Sequence, residues 1–341
     1  MKLVVLDADV LGRRRTGDET YVRNLLAELP RVADAEGIEL AAVTRRPELV
    51  PEGVRAVWLT TPVQELRMGL SLPRALRRLG AGLVHTQYAL PLRPPCPCVV
   101  TVHDLSFALR PELMGWKDRQ VFRLVVPYAV RHAARVLTVS ERTKRDLVET
   151  YAVPAERVVV TPNGVDPVFR PSATVDEAAR EPYALTVGSI ERRKNQLSAL
   201  EAVTARGLRL VVAGPEKDGE LAGELRWRGA QLEGYVEPER LADLYRGATC
   251  LVQTSVFEGF GLPVLEAMAS GTPVVAVREP GVEEVAGDAA VLVAEGEVAD
   301  GIGRALAERE RLAVAGIERA KQFSWRATAE RTLEVYREVL E

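Results

Sequence analysis

Residues Ser255–Val275, SVFEGFGLPVLEAMASGTPVV, contain the pattern that decides the fold. The apolar run that leads into them, TCLVQTS, is typical of a buried strand, and VFEGFG is a glycine-rich turn. The next residues, LPVLEAMASG, predict a helix with Pro263 near its first position and Gly271 just past its end. A strand, a turn and a helix in this order are the unit of a doubly wound parallel sheet, in which ligands bind beyond the carboxyl ends of the strands. A ligand site is therefore expected at this turn.

The turn combines an anion site with two carboxylates. Free N–H groups and the positive end of the helix dipole suit a phosphate there, and Gly259 and Gly261 let the backbone approach it closely. Glu258 lies before the helix and Glu266 about one turn into it, so one carboxylate can accept hydrogen bonds from a sugar and the other from a ribose. The competing interpretation is that Glu258 is a surface glutamate whose hydrogen bonds are already made, and that Glu266 is an ordinary glutamate in the first turn of a helix.

Continuous apolar runs alternate with helical patterns throughout the chain, as in parallel strands covered by helices on both faces. The first half contains the runs LVVLDAD, IELAAVT, VRAVWL, GLVHTQY, CVVTVHD, RVLTVS and RVVVTPNG. The second half contains YALTVGS, LRLVVAG, AQLEGYV, TCLVQTS, PVVAV and AAVLVA. Both halves therefore predict doubly wound α/β structure.

A Pro-rich, apolar-poor stretch, PNGVDPVFRPSATVDEAAREP, separates the two series and indicates a domain boundary. The length of 341 residues also suits two domains. We expect two Rossmann-like domains facing a central cleft, over residues 1–170 and 180–322. The final helix, of about residues 323–341, is expected to pack back on the first domain.

Composition narrows the class of protein. The hydrophobic fraction is 47%, the charged fraction is 27% and the formal charge is -3, so the chain is globular and nothing favours nucleic acid binding. Three cysteines form no disulfide framework, and Cys96 and Cys98 lack the second pair that a structural zinc ion needs. The start, MKLVVLDADV, has no signal-peptide pattern and predicts a first strand in a cytoplasmic protein.

A basic segment, SIERRKNQ, follows the strand run YALTVG and opens a helix. Arg192, Arg193 and Lys194 lie where two positive charges could face a diphosphate. Such charges stabilise a leaving group as negative charge develops on it. Three solvated basic residues at a helix start are the competing interpretation.

These segments resemble the retaining GT-B glycosyltransferases of family 4, the group 1 glycosyltransferases. The likeness rests on FEGFGLPVLEAMASGTPVV, with its two glutamates, and on VTVHDLSFALRPE, VLTVSERTKRDLVETYAVPAERVVVTPNGVD and YALTVGSIERRKNQLSALEAV, in the family's order. It covers nearly the whole chain. It implies a metal-independent enzyme without a cofactor that uses a nucleotide sugar and retains the anomeric configuration.

The resemblance also implies roles for the residues of the second domain. Glu258 would contact the hydroxyls of the donor sugar and Glu266 the ribose of the nucleotide. The diphosphate site would be presented by Gly259, Phe260, Gly261 and Leu262.

Two other segments of that domain are assigned in the same way. Lys194 keeps the family's spacing from the preceding glycine, and Arg193 is taken as its partner charge; Ser189 stands where the family has an arginine. The pocket for the base is expected around Gly234, Tyr235 and Val236.

In the first domain the resemblance implicates His103, near the C6 hydroxyl of the donor sugar, and Gly17, in the loop RRRTGDETYVRNLL. The family often has two adjacent glycines in that loop, where this chain has Gly17 and Asp18. His85 ends another strand and is taken as an acceptor-side or packing residue.

Three further patterns have structural interpretations. Asp7 and Asp9 have the spacing that a different glycosyltransferase fold uses for a metal, and we interpret them as structural. The run Arg13–Arg15 could meet an anionic acceptor or be solvated. Residues 63–80 and 116–135 mix arginine with apolar residues, as peripheral membrane helices and ordinary amphipathic helices both do.

The expected activity is transfer of a hexose, mannose or glucose, from a GDP- or UDP-linked donor to a glycan, lipid-linked or small-molecule acceptor. The catalytic residues would be His103, Glu258, Arg193 and Lys194. A GT-B epimerase of nucleotide sugars and a sugar-binding module without turnover are the alternatives. A peripheral position at the inner membrane face stays open.

Overall fold

The structure, a computed structural model, describes residues 2–14, 16–33, 37–171 and 181–341. The chain divides into two compact units, Met1–Gly164 with Trp325–Glu341, and Val165–Ser324. Within the described ranges, no helix has the length and apolar character needed to cross a membrane. Arg15 of the predicted basic run and residues 172–180 of the predicted linker lie outside the described residues.

Parallel strands form the sheet of the first unit. They are β1 (Lys2–Asp7), β2 (Ile38–Thr44), β3 (Arg55–Trp58), β4 (Leu83–Gln87), β5 (Cys98–Val102), β6 (Arg135–Thr138) and β7 (Val158–Val160). Among the described residues this is a seven-stranded sheet of order β3-β2-β1-β4-β5-β6-β7. In its register Val4 lies opposite Leu40 of β2 and Leu83 of β4. All residues of β5 are buried, as its continuous apolar run predicts for a central strand.

Helices connect these strands. They are α1 (Thr16–Ala33), α2 (Gln64–Leu66), α3 (Leu72–Leu79), α4 (Ser106–Leu109), α5 (Trp116–His132) and α6 (Glu141–Tyr151). A π-helical segment, Arg67–Ser71, joins α2 to α3. Ser140 caps α6 through its side chain, which accepts a hydrogen bond from the N–H of Thr143.

The sheet of the second unit is also parallel. Its strands are β8 (Tyr183–Val187), β9 (Arg209–Ala213), β10 (Gln231–Gly234), β11 (Cys250–Gln253), β12 (Val274–Val277) and β13 (Val291–Val293). They form a six-stranded sheet of order β10-β9-β8-β11-β12-β13 in the described part of the chain. Leu185 of β8 lies opposite Val211 of β9 and Leu251 of β11.

Helices alternate with these strands along the chain. They are α7 (Gln196–Thr204), α8 (Gly219–Trp227), α9 (Pro238–Gly247), α10 (Leu262–Ala269), α11 (Pro280–Ala286), α12 (Val298–Ala307) and α13 (Arg309–Ala320). The predicted helix after the glycine turn is α10, which begins at Leu262 with Pro263 in its first turn. The chain ends in α14 (Trp325–Leu340), which belongs to the first unit.

The strand order reverses between β8 and β11. From β8 the chain continues to β9 on one side, whereas β11 lies on the other. In doubly wound sheets such a reversal opens a crevice at the carboxyl ends of the two strands. The two segments that follow these strands are the basic segment and the glycine turn, so the fold brings them to the same crevice.

Candidate functional site

The centre of the candidate site is a buried ion-paired cluster around Glu258. Its Oε1 accepts hydrogen bonds from Lys194 Nζ at 2.6 Å and from Gln253 Nε2 at 2.8 Å. Its Oε2 accepts from Arg193 Nη1 at 3.1 Å. Arg193 also donates to the carbonyl of Phe257 at 2.9 Å. The two segments that the sequence assigned to separate roles therefore form one cluster.

The charges in this cluster stabilise one another. Burial by itself would raise the pKa of Glu258, but the nearby charges of Lys194 and Arg193 outweigh burial and hold it at about 2. Burial also lowers the pKa of Lys194, an effect that the charge of Glu258 opposes. Glu258 is therefore an ionised carboxylate that is only 7% exposed, with two cations directly against it.

Hydrogen bonds to backbone carbonyls join the loops that carry this cluster. Arg193 and Lys194 lie in a 3-10 turn that ends at Asn195, whose φ of 49° is left-handed, and α7 starts at the next residue. Thr254 donates its hydroxyl to the carbonyl of Lys194 at 3.0 Å, and the N–H of Val256 donates to the carbonyl of Arg193 at 3.0 Å. These contacts position the cations before any ligand arrives.

Glu266 does not share the partners of Glu258 and has a different hydrogen-bond donor. It lies on α10, where the hydroxyl of Tyr245 donates to its Oε2 at 2.8 Å. Burial raises the pKa of Glu266 to about 8. The sequence treated both glutamates as hydrogen-bond acceptors of the same kind, but in the structure the pKa of Glu258 is lowered and that of Glu266 is raised.

Two glycines give the turn its shape. Gly261 precedes α10 with a φ of 101°, in the left-handed region that favours glycine. Gly281, in the first turn of α11, leaves no room for a side chain, because a Cβ there would lie 2.4 Å from the carbonyl oxygen of Glu258. Glu279 holds that turn by accepting a hydrogen bond from the N–H of Gly281 at 2.8 Å.

Sequence reasoning missed Gly281 and Tyr245. A glycine directly after Pro280, behind a strand run, was a readable signal of a tightly packed helix start. Tyr245 lies within an ordinary amphipathic helix, α9, and nothing in its surroundings in the sequence distinguishes it from a core residue.

The remaining predicted residues of the second unit follow other strand ends. Ser189 comes just after β8, is buried, and accepts a hydrogen bond from Gln196 Nε2 at its carbonyl at 2.9 Å. Tyr235 and Val236 follow β10 and are half-buried. Because β10 is the edge strand of the sheet, they lie two strands away from the crevice at β8.

In the first unit, His103 lies directly after β5. Its Nε2 is 2.8 Å from Gln87 Oε1 and 4.0 Å from Asp18 Oδ1. The amide oxygen is an acceptor, so Nε2 carries the hydrogen. Burial lowers the pKa of His103, against the opposing effect of Asp18 and Asp104. Burial thus favours the neutral form of the ring, and the ring of Tyr21 lies edge-on to it at 4.9 Å between centroids.

Gly17 lies in a helix and not in the predicted loop. α1 begins at Thr16, and Asp18 and Glu19 complement the helix dipole in its first turn. No described atom lies within 4 Å of a Cβ built at Gly17, so no contact among the described residues requires a glycine there.

His85 is a buried structural residue, the packing alternative of the two predicted. Its Nδ1 lies 2.6 Å from the hydroxyl of Tyr336 on α14, and its Nε2 lies 2.7 Å from Thr101 Oγ1. Burial, and then the charge of His103, lowers its pKa to about 3.

Arginines surround the carboxylates of Asp7 and Asp9. Arg67, which is fully buried, donates to the two oxygens of Asp7 at 2.5 and 2.6 Å. Arg45 Nε donates to Asp9 at 2.8 Å, and Arg13 pairs with the same carboxylate. Among the described residues no group of three or more metal-ligating side chains is present. The spacing that resembles a metal motif therefore serves ion pairs that link β1 to the segment after α2.

Comparison with known proteins identifies the class. Residues 172–323 match the glycosyl transferases group 1, and residues 15–169 match glycosyltransferase family 4. The chain is 31% identical over 267 residues to the O-antigen chain mannosyltransferase B of Escherichia coli, with 70% of each chain covered. It is 30% identical to a D-inositol 3-phosphate glycosyltransferase of Xylanimonas cellulosilytica, with 98% of this chain and 91% of that one covered. The chain belongs to the group 1 glycosyltransferases.

The likeness extends to the fold. The sucrose-phosphate synthase of Thermosynechococcus elongatus superposes with a TM-score of 0.80 at 22% identity, covering 99% of both chains. The two Rossmann-like, parallel-sheet units are thus those of a GT-B glycosyltransferase, as the sequence predicted, and the protein is a glycosyltransferase enzyme. The chain spans only 56% to 62% of the length of three other D-inositol 3-phosphate glycosyltransferases that it matches.

Proposed function

We propose that this glycosyltransferase moves a hexose from a nucleotide diphosphate sugar to an acceptor hydroxyl with retention of the anomeric configuration. The observation that carries the proposal is the cluster in which Lys194 and Arg193 meet Glu258 at the crevice between β8 and β11. A donor of this kind has sugar hydroxyls beside a diphosphate. The cluster offers an ionised carboxylate beside two cations, which is the complementary arrangement.

In the proposed reaction the bond between the anomeric carbon and the diphosphate oxygen breaks, and a bond forms from that carbon to the acceptor oxygen. The acceptor proton passes to the leaving diphosphate. Lys194 and Arg193 stabilise the negative charge that develops on the leaving group, together with the start of α10. Glu258 accepts hydrogen bonds from the sugar hydroxyls and orients the ring. No protein carboxylate acts as a nucleophile in this scheme.

Glu266 is proposed to bind the ribose. With its proton retained below a pKa of about 8, the carboxyl can donate one hydrogen bond and accept another. A ribose has two neighbouring hydroxyls, each of which can also donate one hydrogen bond and accept another. Tyr245 holds Oε2 of this carboxyl and so sets the direction in which the rest of the group points.

His103 is proposed to bind a sugar hydroxyl as a neutral imidazole. With Nε2–H donated to Gln87, Nδ1 of the neutral ring is an acceptor for the hydrogen of a sugar hydroxyl. Its contact with Gln87 sets its tautomer.

Mannose is the first choice of sugar and glucose the second, with GDP as the first choice of base and UDP close behind. The E. coli relative is a mannosyltransferase, which supports this order. We propose that no metal or cofactor is required, because Lys194 and Arg193 supply the positive charge that a metal would otherwise supply. A glycan, a lipid-linked sugar and a small molecule are the proposed classes of acceptor, and the cytoplasm is the proposed location.

The first test is a thermal-shift screen of GDP, UDP, ADP and their sugars, which needs no acceptor because a bound donor raises the melting temperature by mass action. The preferred donor, labelled in its sugar, is then incubated with candidate acceptors. Transfer to an acceptor is expected, whereas isomerised nucleotide sugar without transfer would identify an epimerase. Binding without any release of nucleotide would identify a sugar-binding module.

The residue assignments are tested with Glu258→Ala and Lys194→Ala. We expect each to lower transfer by roughly 100-fold or more, the scale of losing one preorganised charge contact in a transition state. Lys321→Ala removes an exposed lysine that is also ion-paired in the second unit, and it should leave turnover unchanged. Unchanged turnover in both test variants would reject the assignment.

A further inference from the structure

The first unit exposes apolar side chains along one helical segment. Leu66 and Leu70 are 52% and 47% exposed, and Val63 precedes them at 46%. They are spaced by three or four residues at the start of the segment that α2, the π-helical turn and α3 form together. Residues at this spacing share a face of a helix, and here that face points to solvent.

A second row of apolar side chains lies on α5. Leu124 is 76% exposed, Tyr128 is 46% exposed and Val121 is 48% exposed. Trp116, at the start of the same helix, is 65% exposed. Single exposed apolar residues are ordinary, but two rows of them on neighbouring elements are an exposed patch.

A shallow groove of about 370 Å³ lies between the helical segment that carries the first row and α5. It is lined by Met68, Leu90, Leu92, Leu124 and Tyr128, with Glu65 contributing a carboxylate. The N–H of Leu92 donates to the carbonyl of Met68 at 2.9 Å, so the loop after β4 is tied to the π-helical turn. The segment that carries the first row and α5 therefore border the same groove of the first unit.

Basic side chains continue both rows. On the first helical segment Arg74, Arg77 and Arg78 follow Leu70 at the same three- to four-residue spacing and are exposed. On α5, Arg123 and Arg131 are exposed among the apolar residues. The chain as a whole carries a formal charge of -3, so this concentration of cations is local.

We propose that this surface, Leu66, Leu70, Leu124 and Tyr128 with the surrounding arginines, docks the enzyme on an anionic lipid bilayer. Leucine and tyrosine side chains that protrude from separate helices enter the headgroup region without needing a complementary partner surface. Arginines beside them gain from the negative potential of anionic lipids. This inference rests on the surface of the first unit and does not depend on which sugar the second unit binds.

Two other occupants fit the observations less well. A second copy of the chain would bring two copies of the basic patch into one symmetric contact, since a two-fold interface pairs the same surface of both subunits. A single lipid chain would bury the groove residues, but it would leave Leu66 and Leu70 and the arginines without a partner. A bilayer satisfies the apolar and basic side chains together.

The test is sedimentation of the full chain with vesicles, without donor or acceptor. One set contains phosphatidylcholine with phosphatidylglycerol and the other phosphatidylcholine alone. We expect binding to the anionic vesicles that weakens as salt is raised and is much weaker on neutral ones. Leu66→Gln/Leu124→Gln should weaken binding about tenfold, and Arg74→Gln/Arg77→Gln/Arg78→Gln on the order of 100-fold.

The control is Trp227→Gln/Val314→Gln, which replaces two apolar side chains of the second unit that are 85% and 64% exposed. It should bind vesicles like the wild type. All variants alter exposed side chains, and their melting temperatures verify that they fold. Absence of vesicle binding, or binding that neither test variant weakens, would overturn the proposal. So would a dimer that Leu124→Gln dissociates, or uptake of a monomeric lysolipid without affinity for vesicles.

Discussion

Replacing Glu266 by glutamine should remove a pH-dependent loss of stability. Burial raises the pKa of this carboxyl from 4.5 to about 8. Between those values the folded protein keeps a proton that the unfolded chain has released, so the free energy of unfolding falls as the pH rises. The stability that the protonated Glu266 contributes to the folded state is fully present below pH 4.5 and is lost as the pH rises through 8. The slope is about 1.4 kcal/mol per pH unit, which amounts to roughly 3 to 4 kcal/mol between pH 5 and pH 8.

Glutamine preserves the geometry and cannot ionise. Its amide oxygen can still accept the hydrogen bond that Tyr245 donates to Glu266 Oε2. Wild type and Glu266→Gln would be unfolded with urea at pH 5, 6, 7 and 8. Because other titrating groups are common to both proteins, the difference between them isolates this position. We expect the stability of the variant relative to wild type to rise by about 3 to 4 kcal/mol over that range.

A matched control is Glu239→Gln, which changes an exposed glutamate of the same unit. That side chain is in water in both states, so the variant should follow the pH dependence of wild type. Parallel curves for wild type and Glu266→Gln would refute the reasoning. They would mean that the carboxyl is ionised in the folded protein and that its proposed role as a hydrogen-bond donor to ribose is wrong.

Two further substitutions test the packing behind the sites. Arg67→Met should lower the free energy of unfolding by about 3 to 5 kcal/mol in urea denaturation, because it removes the ion pair of Asp7, whose side chain is only 10% exposed. Arg74→Met, exposed on the adjoining helix, should change it little, and equal effects would contradict the buried pairing. Gly281→Ala should cost about 1 to 3 kcal/mol and reduce transfer, since its Cβ would press on the carbonyl of Glu258. Gly219→Ala, which has open space in α8, is the control; if both alanine variants retain wild-type stability and turnover, the close contact is not real.

Much of the fold could be predicted from local patterns. Continuous apolar runs require cover on both faces, and this predicts parallel strands alternating with helices. The position of a ligand site also follows, because the carboxyl ends of such strands are where loops can carry polar groups. Lys194 and Glu258 were both found in this way, each from the strand that precedes it.

The partners of these residues could not be predicted locally. Lys194 and Glu258 are 64 positions apart, and their contact depends on β8 and β11 being neighbours in the sheet. No apolar run encodes that order. In the same way, the sequence of α9 does not distinguish Tyr245 from a core residue, and only the packing of α9 places its hydroxyl on Glu266.

Charge states depend on surroundings even more than contacts do. The sequence presents Glu258 and Glu266 as two similar acids around a glycine turn, and it correctly assigned that turn to a strand-to-helix junction. Tertiary structure made them different: two cations lie against Glu258, whereas Glu266 is buried and accepts a hydrogen bond from the hydroxyl of Tyr245. The free energy of a buried charge is set by neighbours brought from distant segments. The sequence alone therefore determined where the acids lie along the fold, and only the tertiary structure decided in which direction the pKa of each is shifted.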